Sequence, residues 1–74
     1  MTFQQFLLNM PDDEVFDVCD THNIIILMNC SANTITLDNF LKFADCEFIG
    51  CKTIQRIIDG KLEARLSAII QGRE

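Results

Sequence analysis

Four cysteines and a single histidine are the residues of this 74-residue chain that come closest to a chemical site. Cys19 and His22 have the spacing Cys-x2-His, and Cys46 and Cys51 have the spacing Cys-x4-Cys. Such a set could hold zinc, but structural zinc is usually bound by paired Cys-x2-Cys knuckles, which the sequence lacks. Free cysteines are mostly small buried hydrophobic residues. We therefore expect reduced, buried thiols, no metal ion and no other cofactor.

Carboxylates are the second set of residues that could do chemistry. Five of them lie close together in the sequence: Asp12, Asp13, Glu14, Asp17 and Asp20. A calcium loop needs oxygen ligands at positions 1, 3 and 5 and a glycine at position 6, and this run lacks that pattern. Acid–base catalysis needs a concave site that excludes water, which so short a chain can hardly enclose. We expect no catalytic residues and no enzyme activity, and we interpret the five acids as a partner-binding surface.

The charges are distributed unevenly along the chain. Residues 1–41 contain six acids and no Lys or Arg, whereas residues 42–74 contain all six bases and five acids. The first part therefore carries −6 and the second +1, which gives the net charge of −5. An acidic surface repels nucleic acid and anionic membranes and accelerates association with a basic partner. We expect a protein partner with a basic surface, and neither nucleic acid nor a membrane.

The length predicts one small domain over residues 1–74. A single core of fewer than ~80 residues rarely supplies more than roughly 3–5 kcal/mol, and oligomerisation commonly adds the rest, so we expect a homodimer. The longest apolar run, Ile24 to Met28, is far too short to cross a bilayer. The N-terminus has neither the basic region nor the cleavage site of a secretory signal, which predicts a cytoplasmic protein.

The first half of the chain predicts a helix followed by a hairpin. Thr2 is a suitable N-cap, and apolar residues recur at helical spacing from there to Met10, before Pro11. The segment 15–19 alternates and the segment 24–30 is rich in β-branched residues, so both are expected to be strands. A second helix should begin after Thr36 and end near Asp45, because its apolar residues again follow the helical period. The six phenylalanines are expected in the core.

The last segment can be interpreted in two ways. Asp59-Gly60 is a strong hairpin signal, because a type I′ turn needs positive φ at both residues. A hairpin there places Ile57 opposite Leu62, Arg56 opposite Glu63 and Thr53 opposite Leu66, with a bulge at Gly50 in a strand that starts near Glu47. The alternative is helical, because residues 62, 66, 69 and 70 also follow a 3.6-residue period. With the hairpin, the fold class is α+β: helix, hairpin, helix and C-terminal hairpin, forming one small antiparallel sheet.

In that arrangement the chain resembles very small acidic proteins of phages and prophages of Gram-positive bacteria. The resemblance lies in four segments: Phe6-Leu7 before Pro11-Asp12-Asp13-Glu14-Val15, Leu37-x-x-Phe40-Leu41, Glu47-Phe48-Ile49-Gly50 and Asp59-Gly60-Lys61-Leu62. It implies an accessory protein of a mobile element that acts in the bacterial host cytoplasm. Some such proteins, including anti-CRISPR proteins, inhibit host enzymes through acidic faces. The resemblance therefore implies a host-protein inhibitor acting through the acidic surface.

Residues 43–61 are also similar in spacing to the helix-turn-helix of phage repressors. The similar residues are Phe43-Ala44, Ile49 and the run from Thr53 to Lys61. This alternative implies a small DNA-binding transcriptional regulator. Its DNA-facing residues would be Lys52, Gln55, Arg56 and Lys61.

Overall fold

A computed structural model describes residues 1–72 of the chain. Two helices and four strands follow one another as α1 (Phe3–Asn9), β1 (Phe16–Cys19), β2 (Ile25–Cys30), α2 (Leu37–Phe43), β3 (Glu47–Ile58) and β4 (Lys61–Gln71). The α+β class and the element order predicted from the sequence are therefore confirmed. Neither helix within residues 1–72 is long and apolar enough to span a membrane.

The four strands form one sheet in the order β2-β1-β4-β3. Both hairpins are antiparallel, but β1 and β4 run parallel, with Asp17 beside Ser67 and Cys19 beside Ile69. The sheet is thus mixed, whereas the sequence predicted an antiparallel one. The strands β2 and β3 lie at the two edges of the sheet. The first and last strands, β1 and β4, therefore meet in the middle, and there they run in the same direction.

The helices cover one face of the sheet, called here the helix-covered face. Its core contains Phe3, Phe6 and Leu7 of α1 packed against Phe16 of β1 and Ile70 of β4. Phe6 is the centre of an aromatic group. Its ring stacks on that of Phe48, with 4.5 Å between the ring centroids, and lies edge-on to that of Phe16, with 5.3 Å between the centroids. The remaining phenylalanines, at positions 40 and 43, pack against this core and are partly buried. The other side of the sheet carries no helix and is called the open face.

Local sequence signals account for both helix starts. Thr2 caps α1 through a complete capping box with Gln5, in which each side chain bonds the other residue's backbone N–H. Thr36 caps α2 by accepting a hydrogen bond from the Asn39 N–H at 3.2 Å. Pro11 follows the end of α1, as predicted, because proline cannot continue the hydrogen-bonding ladder.

The C-terminal hairpin is present in the predicted register. Thr53 lies opposite Leu66 and Ile57 opposite Leu62, and a bulge falls between Phe48 and Gly50. Asp59 and Gly60 both have positive φ, at 53° and 77°, as a type I′ turn requires. The helix-turn-helix arrangement of residues 43–61 is therefore wrong, because residues 47–58 form one strand. Two-residue alternation and a strong turn here outweigh the helical spacing of the apolar residues.

Candidate partner-binding surface

The loop between α1 and β1 carries three adjacent acidic residues, Asp12, Asp13 and Glu14, called here the acidic loop. All three are exposed. In the described part of the chain no Lys or Arg forms an ion pair with any of them. Their negative charges are thus not neutralised by a basic side chain of residues 1–72.

The acidic loop is held by backbone hydrogen bonds. The Glu14 N–H donates to the Pro11 carbonyl at 3.1 Å, which closes a turn around the two aspartates. The Asn33 N–H donates to the Asp12 carbonyl at 3.2 Å and ties the loop to the segment that follows β2. That segment is itself ordered by Ser31, whose carbonyl accepts from the Ile35 N–H at 3.0 Å. The carboxylates therefore project from a fixed backbone, which reduces the entropy lost on binding.

An apolar hollow of about 180 Å³ adjoins the acidic loop. It is lined by Leu7, Leu8, Asp12, Ala32, Ile35 and Phe40. Leu8 is 77% exposed although it lies on a helix whose other leucine is in the core. Asp12 belongs to both the hollow and the acidic loop, so one partner could contact carboxylates and apolar side chains together. This arrangement suits a segment that carries Lys or Arg beside a single apolar side chain.

The structure does not bring all five predicted acidic residues to one surface. Asp17 is completely buried on the open face, and its carboxylate contacts Arg56 and Arg65. It is not available to a partner, which corrects its place in the predicted surface. Asp20 is partly buried and caps the β1–β2 turn, where its carboxylate accepts from the backbone N–H groups of His22 at 2.8 Å and Ile24 at 3.0 Å. Of the five residues of the predicted partner-binding surface, only residues 12–14 remain together and exposed.

Asp17 lies on β1 inside the sheet, between β2 and β4, and the side chains of Arg56 and Arg65 lie against its carboxylate on the open face. One Asp17 oxygen accepts from the Asn29 N–H at 3.0 Å and lies 3.8 Å from Arg65, while the other accepts from Arg56. Arg65 also donates to the Asn29 side chain. Asn29 has φ of 53°, a left-handed conformation that asparagine tolerates, and it turns its N–H toward the carboxylate. Sequence reasoning missed this cluster, although the absence of any base before residue 42 limits the possible partners of a buried acid to the C-terminal part.

The residues of the DNA-binding alternative are divided between the two faces of the hairpin. Lys52 and Arg56 lie on the open face, where Lys52 donates to the Asn23 side chain and Arg56 donates to Asp17. Gln55, one position from Arg56, points to the opposite face, because strand side chains alternate. Lys61 is exposed at the hairpin turn. These four residues therefore do not form one surface. Arg56 lies opposite Glu63, as predicted, but it donates its hydrogen bonds to Asp17 and to the Met28 Sδ.

The cysteines are separated in the same way. Cys30 and Cys46 lie in the core, Cys51 is exposed, and Cys19 is buried with its Sγ 2.8 Å from the Ser67 Oγ. Burial raises the pKa of the Cys30 thiol, and partial burial does the same for Cys51. Over residues 1–72, no three His, Cys, Asp or Glu side chains are grouped as metal ligands would be.

Comparisons with known proteins add no relative to this picture. No family model, no curated protein and no solved structure matches the chain. The resemblance to small phage proteins therefore remains a hypothesis, and the acidic loop with its hollow is the surface on which a function can be argued.

Proposed function

We propose that this protein is a non-enzymatic inhibitor, encoded by a phage or prophage, that binds a basic surface of a host protein through its acidic loop. One observation supports this most directly. Three exposed carboxylates form no ion pair with Lys or Arg among residues 1–72, and one of them, Asp12, lines an apolar hollow that a partner side chain could enter. Together they provide the two parts of a specific protein–protein interface, a charged rim and an apolar contact.

The charges and the hollow have different roles in this proposal. Exposed carboxylates raise the association rate with an oppositely charged surface and make it sensitive to salt. The hollow, bordered by Leu8 and Phe40, supplies the apolar contact that slows dissociation. The partner we infer therefore presents Lys or Arg residues around one protruding apolar side chain. The inhibitor activity and the bacterial host rest on the phage-protein resemblance, with anti-CRISPR activity as one form. The homodimer expected from the sequence is a separate proposal that does not involve this surface.

A pair of charge-reversed variants tests the docking surface. The variant Asp13→Lys/Glu14→Lys changes two residues of the acidic loop, and the control Asp38→Lys/Glu47→Lys makes the same change in net charge at exposed sites elsewhere. Proteins retained by the wild-type chain from a Gram-positive lysate are identified, purified and titrated against each variant. The proposal requires a purified partner whose affinity falls at least about tenfold with the loop variant and stays within about twofold with the control.

A separate variant tests the apolar contact that the hollow supplies. Leu8→Ser removes an exposed side chain from the rim of the hollow without touching a charge. We expect faster dissociation of the purified partner with little change in the association rate. Equal binding by the wild type, the charge-reversed loop variant and Leu8→Ser would refute the docking surface. Inhibition is then measured directly, as phage survival in a CRISPR-immune host that expresses the chain.

A further inference from the structure

From residue 51 onward, the outer edge of β3 pairs with no other strand of the described residues. β3 is the last strand of the sheet, has 12 residues and contains no proline. The opposite edge strand, β2, has 6 residues, and its pairing with β1 is interrupted by two irregularities. Short, irregular edges resist pairing with other chains, whereas long regular ones invite it. The two edges of this sheet therefore differ, and only that of β3 is suited to add another strand.

The hairpin turn identifies which backbone groups of β3 point outward. Ile58 and Lys61 flank the two-residue turn, so they form a hydrogen-bonded pair. Such pairs alternate along an antiparallel ladder, so residues 58, 56, 54 and 52 bond to β4. The outward N–H and C=O groups then belong to Cys51, Thr53, Gln55 and Ile57. Within residues 1–72 no backbone hydrogen bond from outside the hairpin reaches these four residues.

The start of the same edge is already covered. The Phe48 N–H donates to the Met1 carbonyl at 2.8 Å, and Thr2 forms an antiparallel bridge with Glu47. The bulge between Phe48 and Gly50 then ends this covered part. The free edge therefore extends from residue 51 to the hairpin turn.

We propose that this edge pairs with the same edge of a second copy, antiparallel and centred on Gln55. A two-fold axis centred on Lys52, Ile54 or Arg56 would place basic side chains opposite one another on the open face, which is unfavourable. A centre at Thr53 would lay the second copy over Phe48, whose N–H is occupied by Met1. A centre at Ile57 would leave only three strand residues to pair. Gln55 is the centre that meets all these conditions.

The Gln55 register is complementary on both faces. On the helix-covered face, Thr53 lies opposite Ile57 of the second copy, and the two Gln55 side chains meet at the axis. Ile57 is 77% exposed in the single chain and gains an apolar neighbour there. On the open face, Lys52 lies opposite Ile58 and Arg56 opposite Ile54, so no charges of one sign are directly opposed. This self-complementarity favours a second copy over a foreign strand, and the two sheets would become one of eight strands.

The first test is the oligomeric state of the full chain by sedimentation equilibrium over a concentration series. We expect a reversible dimer. Gln55→Pro removes an outward N–H, a change that an edge strand tolerates, so the fold should persist by circular dichroism. Because each copy loses one donor, the dissociation constant should rise about 10- to 100-fold, while Gln55→Ala, which keeps the N–H, should remain close to wild type. A wild-type chain that stays monomeric throughout would overturn the proposal.

If Gln55→Pro fails to fold, a cross-linking experiment tests the same pairing register. In a Cys51→Ser background, Gln55→Cys places two thiols opposite one another, with a Cα–Cα distance of about 5.5 Å that a disulfide can bridge. Thr53→Cys is the control, because its two copies would lie about 13 Å apart along the strands. Mild oxidation should give a covalent dimer with Gln55→Cys and none with Thr53→Cys. Equal cross-linking of both variants, or of neither, would refute this register. The acidic loop takes no part in either test, so either proposal can fail without the other.

Discussion

The carboxylate of Asp17 on β1 accepts a hydrogen bond from the guanidinium of Arg56 on β3, although β4 lies between the two strands. Arg56 reaches over β4 on the open face, where Ser67 is the β4 residue beside Asp17. The contact connects residues 39 positions apart and joins the distal part of the β3–β4 hairpin to the first strand.

We expect Asp17→Asn to destabilise the protein by about 2–4 kcal/mol. The amide is similar in size but cannot neutralise Arg56 and Arg65. Removing one partner of a buried ion pair is costly because the other charge is left uncompensated. The expected loss of stability is smaller than for a fully enclosed ion pair because both arginine side chains remain 18% exposed. Urea unfolding followed by circular dichroism measures the change. The control is Asp13→Asn, an exposed loop residue, which should change stability by less than about 0.5 kcal/mol.

The turn of the C-terminal hairpin gives a second prediction. Gly60 has φ of 77°, and apart from its chain neighbours no atom lies within 4 Å of where a Cβ would be, so alanine meets backbone strain there and no clash with the rest of the fold. Gly60→Ala should therefore cost about 1–2 kcal/mol in urea unfolding. Asp59→Asn is the matched change, because asparagine tolerates the left-handed conformation of Asp59 as well as aspartate does. A neutral Gly60→Ala would argue against a type I′ turn at this position.

Thiol reactivity should single out Cys51. It is exposed, whereas the other three cysteines are buried, so one thiol of the native chain should react rapidly with a thiol reagent and all four after unfolding. Partial burial raises the pKa of Cys51, which lowers its thiolate fraction at neutral pH. Cys51 should therefore react more slowly at neutral pH than a small free thiol. Its reaction rate should increase with pH, and the midpoint of that increase should lie at a higher pH than for the free thiol. Cys51→Ser should abolish the rapid phase; if that phase persists, another cysteine is accessible.

The acidic loop should contribute little to stability. Its carboxylates form no ion pair with Lys or Arg of the described residues and lie next to one another, so Glu14→Lys removes repulsion and breaks no ion pair. We expect a change within about 0.5 kcal/mol, or a small gain, in thermal or urea unfolding. A loss of more than about 1 kcal/mol would mean that Glu14 supports the fold, and its charge would then need no partner to account for it.

Local signals in the sequence were sufficient for most of the secondary structure. Thr2, Pro11, Thr36 and Asp59-Gly60 act through hydrogen bonds and backbone angles of their immediate neighbours, so they can be recognised without the rest of the fold. The alternation in β3 and β4 similarly determines the hairpin register once the turn is known.

Two features could not be obtained in this way because they depend on contacts between distant segments. The alternation of residues 16–19 places Asp17 and Phe16 on opposite faces, but it does not show that both faces are buried. That depends on the parallel pairing of β1 with β4, for which no local signal exists. The acidic surface was therefore predicted with Asp17 in it. The hollow beside the acidic loop was missed for the same reason, since it combines residues of α1, α2 and the loop after β2.

The parallel pairing of β1 and β4 has a consequence for synthesis of the chain. Residues 61–71 leave the ribosome after all the other strands, yet they occupy the middle of the sheet. Until they emerge, the β1–β2 hairpin and β3 have no strand to join them, and Asp17 lacks Arg65. The nascent chain therefore cannot acquire its structure from the N-terminus onward, and its sheet should form in one late step. A stalled ribosome–nascent chain complex that lacks β4 should be readily digested by protease at β1.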